Sequence, residues 1–113
     1  MDCIFCKIAA GELPSDRIYE DEVCVAFRDI NPQAPVHVLV IPKTHLGNLA
    51  SLGESDAELT GKLLLASAKV AEQEGLLPGG YRVVANVGED AGESVPHLHW
   101  HVLGGRPLAW PPG

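Results

Sequence analysis

Apolar residues recur at every second position in most of the hydrophobic segments of this chain and at helical spacing in one, and the breaks between segments are rich in proline, glycine and acidic residues. "CIFCKIAAG" (3–11) has the length of a short helix ended by Gly11. "RIYEDEVCVAFRD" (17–29) predicts a hairpin, with Asp21 and Glu22 near the turn and Val23, Val25 and Phe27 alternating after it. "NPQAP" (31–35) breaks the chain, and "VHVLVIP" (36–42) is a β-branched run of strand length stopped by Pro42. Ser55 and Glu58 form a capping-box pattern, after which Leu59, Leu63, Ala66 and Val70 follow at helical spacing until Gly75 supplies a C-cap. "YRVVANV" (81–87) reads as a further strand and the glycine-rich "GEDAGES" (88–94) as a loop. The last strand carries "VPHLHWHVLGGR" (95–106), ahead of a proline-rich tail. Strands at hairpin spacing with one long helix inserted predict an α+β domain: an antiparallel sheet backed by that helix, plus the short N-terminal helix.

The last strand has an unusual pattern. His97, His99 and His101 share one face of an extended chain while Leu98, Trp100 and Val102 share the other. Three of the five histidines in the sequence thus fall within five residues, on a face that carries nothing but imidazole. Such a face can be a solvated strand edge, a three-histidine metal site or a nucleophilic centre, because neutral imidazole binds metals and attacks electrophiles alike. Spacing does not choose between the last two. The loop before the strand favours phosphate chemistry, since Gly88 and Gly92, with Ser94 close behind, let backbone N–H groups and a hydroxyl approach a phosphate.

Composition narrows the partners. At 113 residues and 46% hydrophobic, the sequence suits one domain spanning 1–113. A net charge of −7 argues against a nucleic-acid backbone binder, which needs clustered Lys and Arg, but leaves room for a small anion held by local amides. No segment has the length of a membrane span and the N-terminus has no signal-peptide pattern, so a cytoplasmic protein is expected. Three cysteines, an odd number, make a disulfide framework a poor explanation, and Cys3 and Cys6 read as reduced thiols or metal ligands.

"HLHWHVLGGR" resembles the His-x-His-x-His motif of the histidine triad superfamily, and the similarity extends to "AFRDINPQAPVHVLVIPKTH", "GYRVVANVG" and the terminal "WPPG". These segments are most similar to the Hint branch, whose members are homodimeric purine nucleoside phosphoramidases. The resemblance implies a nucleotide-binding hydrolase that cleaves the P–N bond of adenosine or guanosine 5′-phosphoramidates through a nucleotidyl-histidine. Hydrolysis of dinucleoside polyphosphates belongs to the same superfamily, and a non-catalytic nucleotide-binding module is the rival from another class.

By position, the resemblance makes His99 the nucleophile, His101 the phosphate contact, His37 the histidine that orients the nucleophile, and Ser94 a hydroxyl near the scissile bond, with His97 completing the triad. It assigns Asp29 to the ribose hydroxyls, Phe5, Ile8, Phe27 and Ile30 to the purine surroundings, and Asn86 and the loop residues Gly92 and Glu93 to the nucleotide. Zinc-containing relatives point to His45 and His97 as partners of Cys3 and Cys6 in a closed structural Zn²⁺ site, a role that would withdraw His97 from proton transfer. Cys24 is then an inert core thiol. Glu93 stands where glutamine is common and Pro96 where an aromatic is frequent, and a carboxylate beside a bound phosphate would oppose binding unless it points away. A homodimer is expected through the long helix and the "YRVVANV" strand, extending the sheet, with "AWPPG" reaching toward the partner's site.

Overall fold

The antiparallel α+β domain expected from the sequence is the one observed in the computed structural model, which describes residues 3–113. Helix α1 (Ile4–Ala9) is followed by strands β1 (Arg17–Glu20), β2 (Cys24–Arg28) and β3 (Val36–Pro42). The long helix α2 (Ala57–Gln73) precedes β4 (Tyr81–Val84) and β5 (Trp100–Gly104). Among the described residues five strands form one antiparallel sheet in the order β1-β2-β3-β5-β4. No helix among them is long and apolar enough to cross a membrane.

Local chemistry explains most boundaries. Asp21 closes the first hairpin because its Oδ1 accepts from the N–H groups of Val23 and Cys24 at 2.8 and 2.9 Å, an Asx-type turn. Gly75, at φ +72°, ends α2 in a left-handed cap. There the N–H groups of Gly75 and Leu76 reach back to the carbonyls of Glu72 and Ala71 at 3.0 and 2.9 Å, a Schellman motif.

Other boundaries differ from the sequence reading. The Ser55/Glu58 capping box does not form. Asp56 ends a 3₁₀ turn (Glu54–Asp56), its Oδ2 accepts from Gly53 N–H at 2.9 Å, and α2 begins at Ala57. That acceptor is better placed for the turn behind it than for the helix ahead. The strand expected over "YRVVANV" stops at Val84, and the loop after it contains a further 3₁₀ turn, Glu89–Ala91. The histidine strand pairs regularly only from Trp100 onward. Pro42 on the neighbouring strand and Pro96 upstream both lack an N–H, so residues 97–99 join no ladder, and Leu98 N–H turns to the Leu46 carbonyl at 2.6 Å.

The sheet is covered on both faces. Ala26, Val38, Val40, Leu98, Trp100 and Val102 pack against Leu63, Ala66 and Val70 of α2. Val25, Phe27, Leu39 and Ile41 pack against Cys3, Phe5 and Ile8 around α1. This double cover explains why Cys24–Phe27 are all buried where simple alternation predicts one wet face. It also leaves the imidazole face beside α1 and largely shielded from water.

Leu63 has no solvent exposure. Leu63→Ala is expected to lower unfolding free energy by about 2–5 kcal/mol, whereas Lys62→Ala, on the exposed side of the same helix, should stay within about 0.5 kcal/mol. Urea denaturation followed by circular dichroism checks both.

Candidate functional site

The three histidines keep the alternation of an extended chain although only His101 lies in a regular strand. Leu98, Trp100 and Val102 point into the α2-side core, and His97, His99 and His101 point the other way. His101 pairs directly with Leu39, which sets His37 at its diagonal on the same face of β3. The result is a continuous row of rings: His37 and His101 have centroids 5.1 Å apart, His101 and His99 5.1 Å, and Phe5 meets His99 edge-on at 5.1 Å.

The hydrogen bonds of the row fix where each proton sits. Gln33 N–H donates to His37 Nδ1 at 3.0 Å, so the His37 proton is on Nε2. That Nε2–H faces His101 Nδ1 at 2.9 Å and Asp29 Oδ2 at 3.4 Å. His101 Nδ1 therefore accepts, and its own proton must be on Nε2. His99 runs in the opposite sense: its Nδ1 lies 2.7 Å from the His97 carbonyl, which only accepts, so Nδ1 carries the proton and Nε2 a lone pair. The row thus presents a lone pair on His99 beside an N–H donor on His101. Burial, followed by the charges of His99 and His37, pushes the His101 pKa down to about 4. Burial lowers that of His37 as well. His101 is accordingly neutral at pH 7 and donates as an imidazole.

The resemblance assigns His37 to orienting the nucleophile; its Nε2–H is bonded to His101 Nδ1, and the His97 carbonyl holds His99. A backbone carbonyl and a backbone N–H do this positioning, and neither leaves a signal in residue type.

Around the row, Asp29 Oδ1 accepts from Asn31 N–H at 2.8 Å, an Asx turn that holds its other oxygen toward His37. Ile8 and Phe27 are buried in the α1-side core, whereas Ile30 is fully exposed. Asn86, Glu93, His97 and His99 line one crevice together with Asn48. Gly92 takes φ +74° in the loop above it, and Ser94 is exposed. Glu93 does not reach for the histidines: its Oε1 accepts from Gly88 N–H at 2.8 Å and from Asn48 Nδ2 at 3.0 Å. Those two bonds hold its pKa below the usual carboxylate value. Glu93 is thus the clasp of the 88–93 loop, and Asn48, distant in sequence, is the partner that the sequence reading missed.

A second cluster adjoins the row. The donor atoms of Cys3, Cys6, His45 and His97 all lie within 4.8 Å of one another. Cys3 Sγ is 3.2 Å from His97 Nδ1, and Cys6 Sγ is 3.2 Å from His45 Nδ1. His97 Nε2–H donates to the Pro42 carbonyl at 3.0 Å, so Nδ1 faces the thiols with its lone pair free. Proton accounting separates this group from Asp29, His37 and His101, which are equally close together. A metal on His37 Nε2 would have to displace its proton while Nδ1 is already occupied as an acceptor, so that trio is a hydrogen-bond chain. The four-residue cluster is able to hold a metal.

Comparison with known proteins agrees with this geometry. A model of the HIT domain family matches residues 10–108. An uncharacterised HIT-like protein of Synechococcus elongatus is 54% identical over 112 residues, covering 99% of this chain and 97% of its own. A crystal structure of a HIT family hydrolase from Legionella pneumophila superposes with a TM-score of 0.97 at 48% identity, covering 99% of this chain and 100% of that one. A histidine triad protein from Clostridium difficile gives 0.93 at 44% identity, covering 96% and 95%. On the family match, on these relatives and on the row of imidazoles, this chain belongs to the HIT domain family.

Proposed function

We propose that this hydrolase-type HIT protein cleaves the P–N bond of purine nucleoside 5′-phosphoramidates through a nucleotidyl-histidine on His99. The observation that carries the reading is the opposed proton order of His99 and His101, a lone pair beside a donor. His99 Nε2 attacks the α-phosphorus, the P–N bond to the amine breaks, and the amine leaves with a proton taken from solvent. Water then attacks the phosphorus and gives up a proton to solvent, the P–N bond to His99 breaks, the nucleoside monophosphate departs, and His99 recovers its lone pair. The His101 Nε2–H supplies a hydrogen bond to the phosphate oxygens as charge develops on them. Asp29 offers its Oδ2 to the ribose hydroxyls, and Ile30, being exposed, is the apolar side chain free to meet the purine. Asn86, Gly92 and Ser94 border the phosphate end, and the carboxylate of Glu93 is taken up by Gly88 and Asn48.

The Cys3, Cys6, His45 and His97 cluster suits Zn²⁺ in a closed Cys₂His₂ site. Its donor spacing accords with tetrahedral bonds of about 2.3 Å to sulfur and about 2.0 Å to nitrogen. These residues would fix α1 to the sheet and supply folding free energy, while the attack belongs to His99. A homodimer is the assembly that would cover the apolar side chains left exposed: Leu64 and Leu65 on α2, Val83 on the edge strand β4, and Trp110 in the tail. Arg82 already holds that tail across β4, through the Ala109 carbonyl at 3.0 Å and the Trp110 ring.

Incubation with adenosine 5′-phosphoramidate should release AMP, and denaturation during turnover should trap one nucleotidyl group on His99 by mass spectrometry. His99→Asn should abolish both signals while still binding AMP. His101→Asn should cost about 2–4 kcal/mol in kcat. AMP binding without turnover by the wild type would identify a non-catalytic nucleotide module instead. For the metal, protein purified without chelator should contain about one zinc per chain, and Cys3→Ser should lower both zinc content and melting temperature. Light scattering at micromolar concentration should return twice the chain mass, and a monomer there would remove the dimer.

A further inference from the structure

We infer that the thiol–imidazole cluster beside α1 is a positioning device for the nucleophile. On this inference Cys3, Cys6 and His45 act on His99 through His97, and a metal held by the cluster governs the rate of attack without contacting substrate. The inference rests on His99 being the reacting residue.

His97 faces two ways. Its ring belongs to the cluster, with Nδ1 3.2 Å from Cys3 Sγ and 3.5 Å from Cys6 Sγ. Its carbonyl belongs to the active row, 2.7 Å from His99 Nδ1. The ring is held at both nitrogens, since Nε2–H donates to the Pro42 carbonyl, and the residue has no solvent exposure. With no regular strand pairing at residues 97–99, the His97 carbonyl is aimed by two anchors: the Leu98 N–H of the same peptide unit, bonded to the carbonyl of Leu46 next to His45 at 2.6 Å, and the His97 ring held in the cluster. That carbonyl decides the tautomer of His99: with the bond made, Nε2 keeps the lone pair that attacks, and with it lost, the proton is free to move to Nε2 and block it.

Phe5 is a second link between the two groups. It stands on α1 between Cys3 and Cys6, and its ring meets His97 edge-on at 5.8 Å and 76°, and His99 at 5.1 Å and 85°. A shift of the first turn of α1 that opens the cluster therefore also moves the wall against which the nucleophile packs. Outer-shell groups of this kind change activity by about 10- to 100-fold when removed, and misplacing a reacting group by about 1 Å is worth a similar factor. A metal site that served stability alone would leave kcat unchanged at temperatures where the protein stays folded.

His45 is the ligand to change, because it lies in the connection after β3 and contributes to neither core cluster. His45→Ala should lose zinc by metal analysis. Well below its melting temperature, kcat with adenosine 5′-phosphoramidate should fall about 10- to 100-fold, with KM and AMP affinity within about twofold of wild type. The Nδ1–H proton resonance of His99, protected in the zinc-loaded wild type, should broaden or disappear. His45→Cys, which rebuilds a Cys₃His set, should restore zinc, kcat and the resonance together. Zinc-free His45→Ala that keeps the wild-type kcat and the His99 Nδ1–H signal would overturn the inference. If the wild type releases no AMP, the phosphoramidase reading falls on its own, and the resonance still decides the coupling: its loss with zinc supports the inference and its persistence overturns it.

Discussion

A neutral imidazole has one proton and two nitrogens, and the candidate site depends on where that proton is sent in each ring. Two backbone groups make the decision. The Gln33 N–H forces the proton of His37 outward onto Nε2, and the His97 carbonyl draws the proton of His99 inward onto Nδ1. From these two bonds follow an accepting nitrogen on His99 and a donating one on His101, side by side. Burial protects the arrangement, because a pKa near 4 for His101 removes the positive form that would scramble the chain of donors and acceptors at pH 7.

The fold serves this constraint by hiding a polar row inside an apolar layer. Unpartnered polar groups in such a place would be costly, and both nitrogens of His37 and the Nδ1 atoms of His101 and His99 are partnered. The sheet supplies the diagonal pairing of His37 and His101 across β3 and β5. Helix α1 supplies the cover, with Phe5 filling the space over His97 and His99. Central strands buried on both faces are the consequence, and the hydrophobic runs "VCVAF" and "VHVLVIP" are their imprint on the sequence.

The same residue serves two chemistries at His97. Its ring sits among thiols while its carbonyl holds His99 Nδ1, so the triad motif and the Cys-x-x-Cys motif, ninety-odd residues apart in the chain, meet in one residue. Glu93 shows the reverse economy. An acidic residue that looks hostile to phosphate in the sequence becomes a loop clasp once Asn48 and Gly88 take its oxygens.

Periodicity determined the elements of this protein: the hairpin around Asp21, the β3 run, the helix ended at Gly75 and the alternation of the three histidines were all legible because each is a local pattern of side-chain type. The spacing of Cys3 and Cys6 marked candidate metal ligands, and the family resemblance added His45 and His97, which the structure brings together with them. Boundaries were less legible where a neighbour decided them, as at Asp56, whose carboxylate prefers Gly53, and at Trp100, where two prolines leave the preceding histidines without a ladder. Only the tertiary structure decided which nitrogen of each histidine bears the proton and what each one orients, because backbone N–H and carbonyl groups have no letter in a sequence and act here across turns and strands.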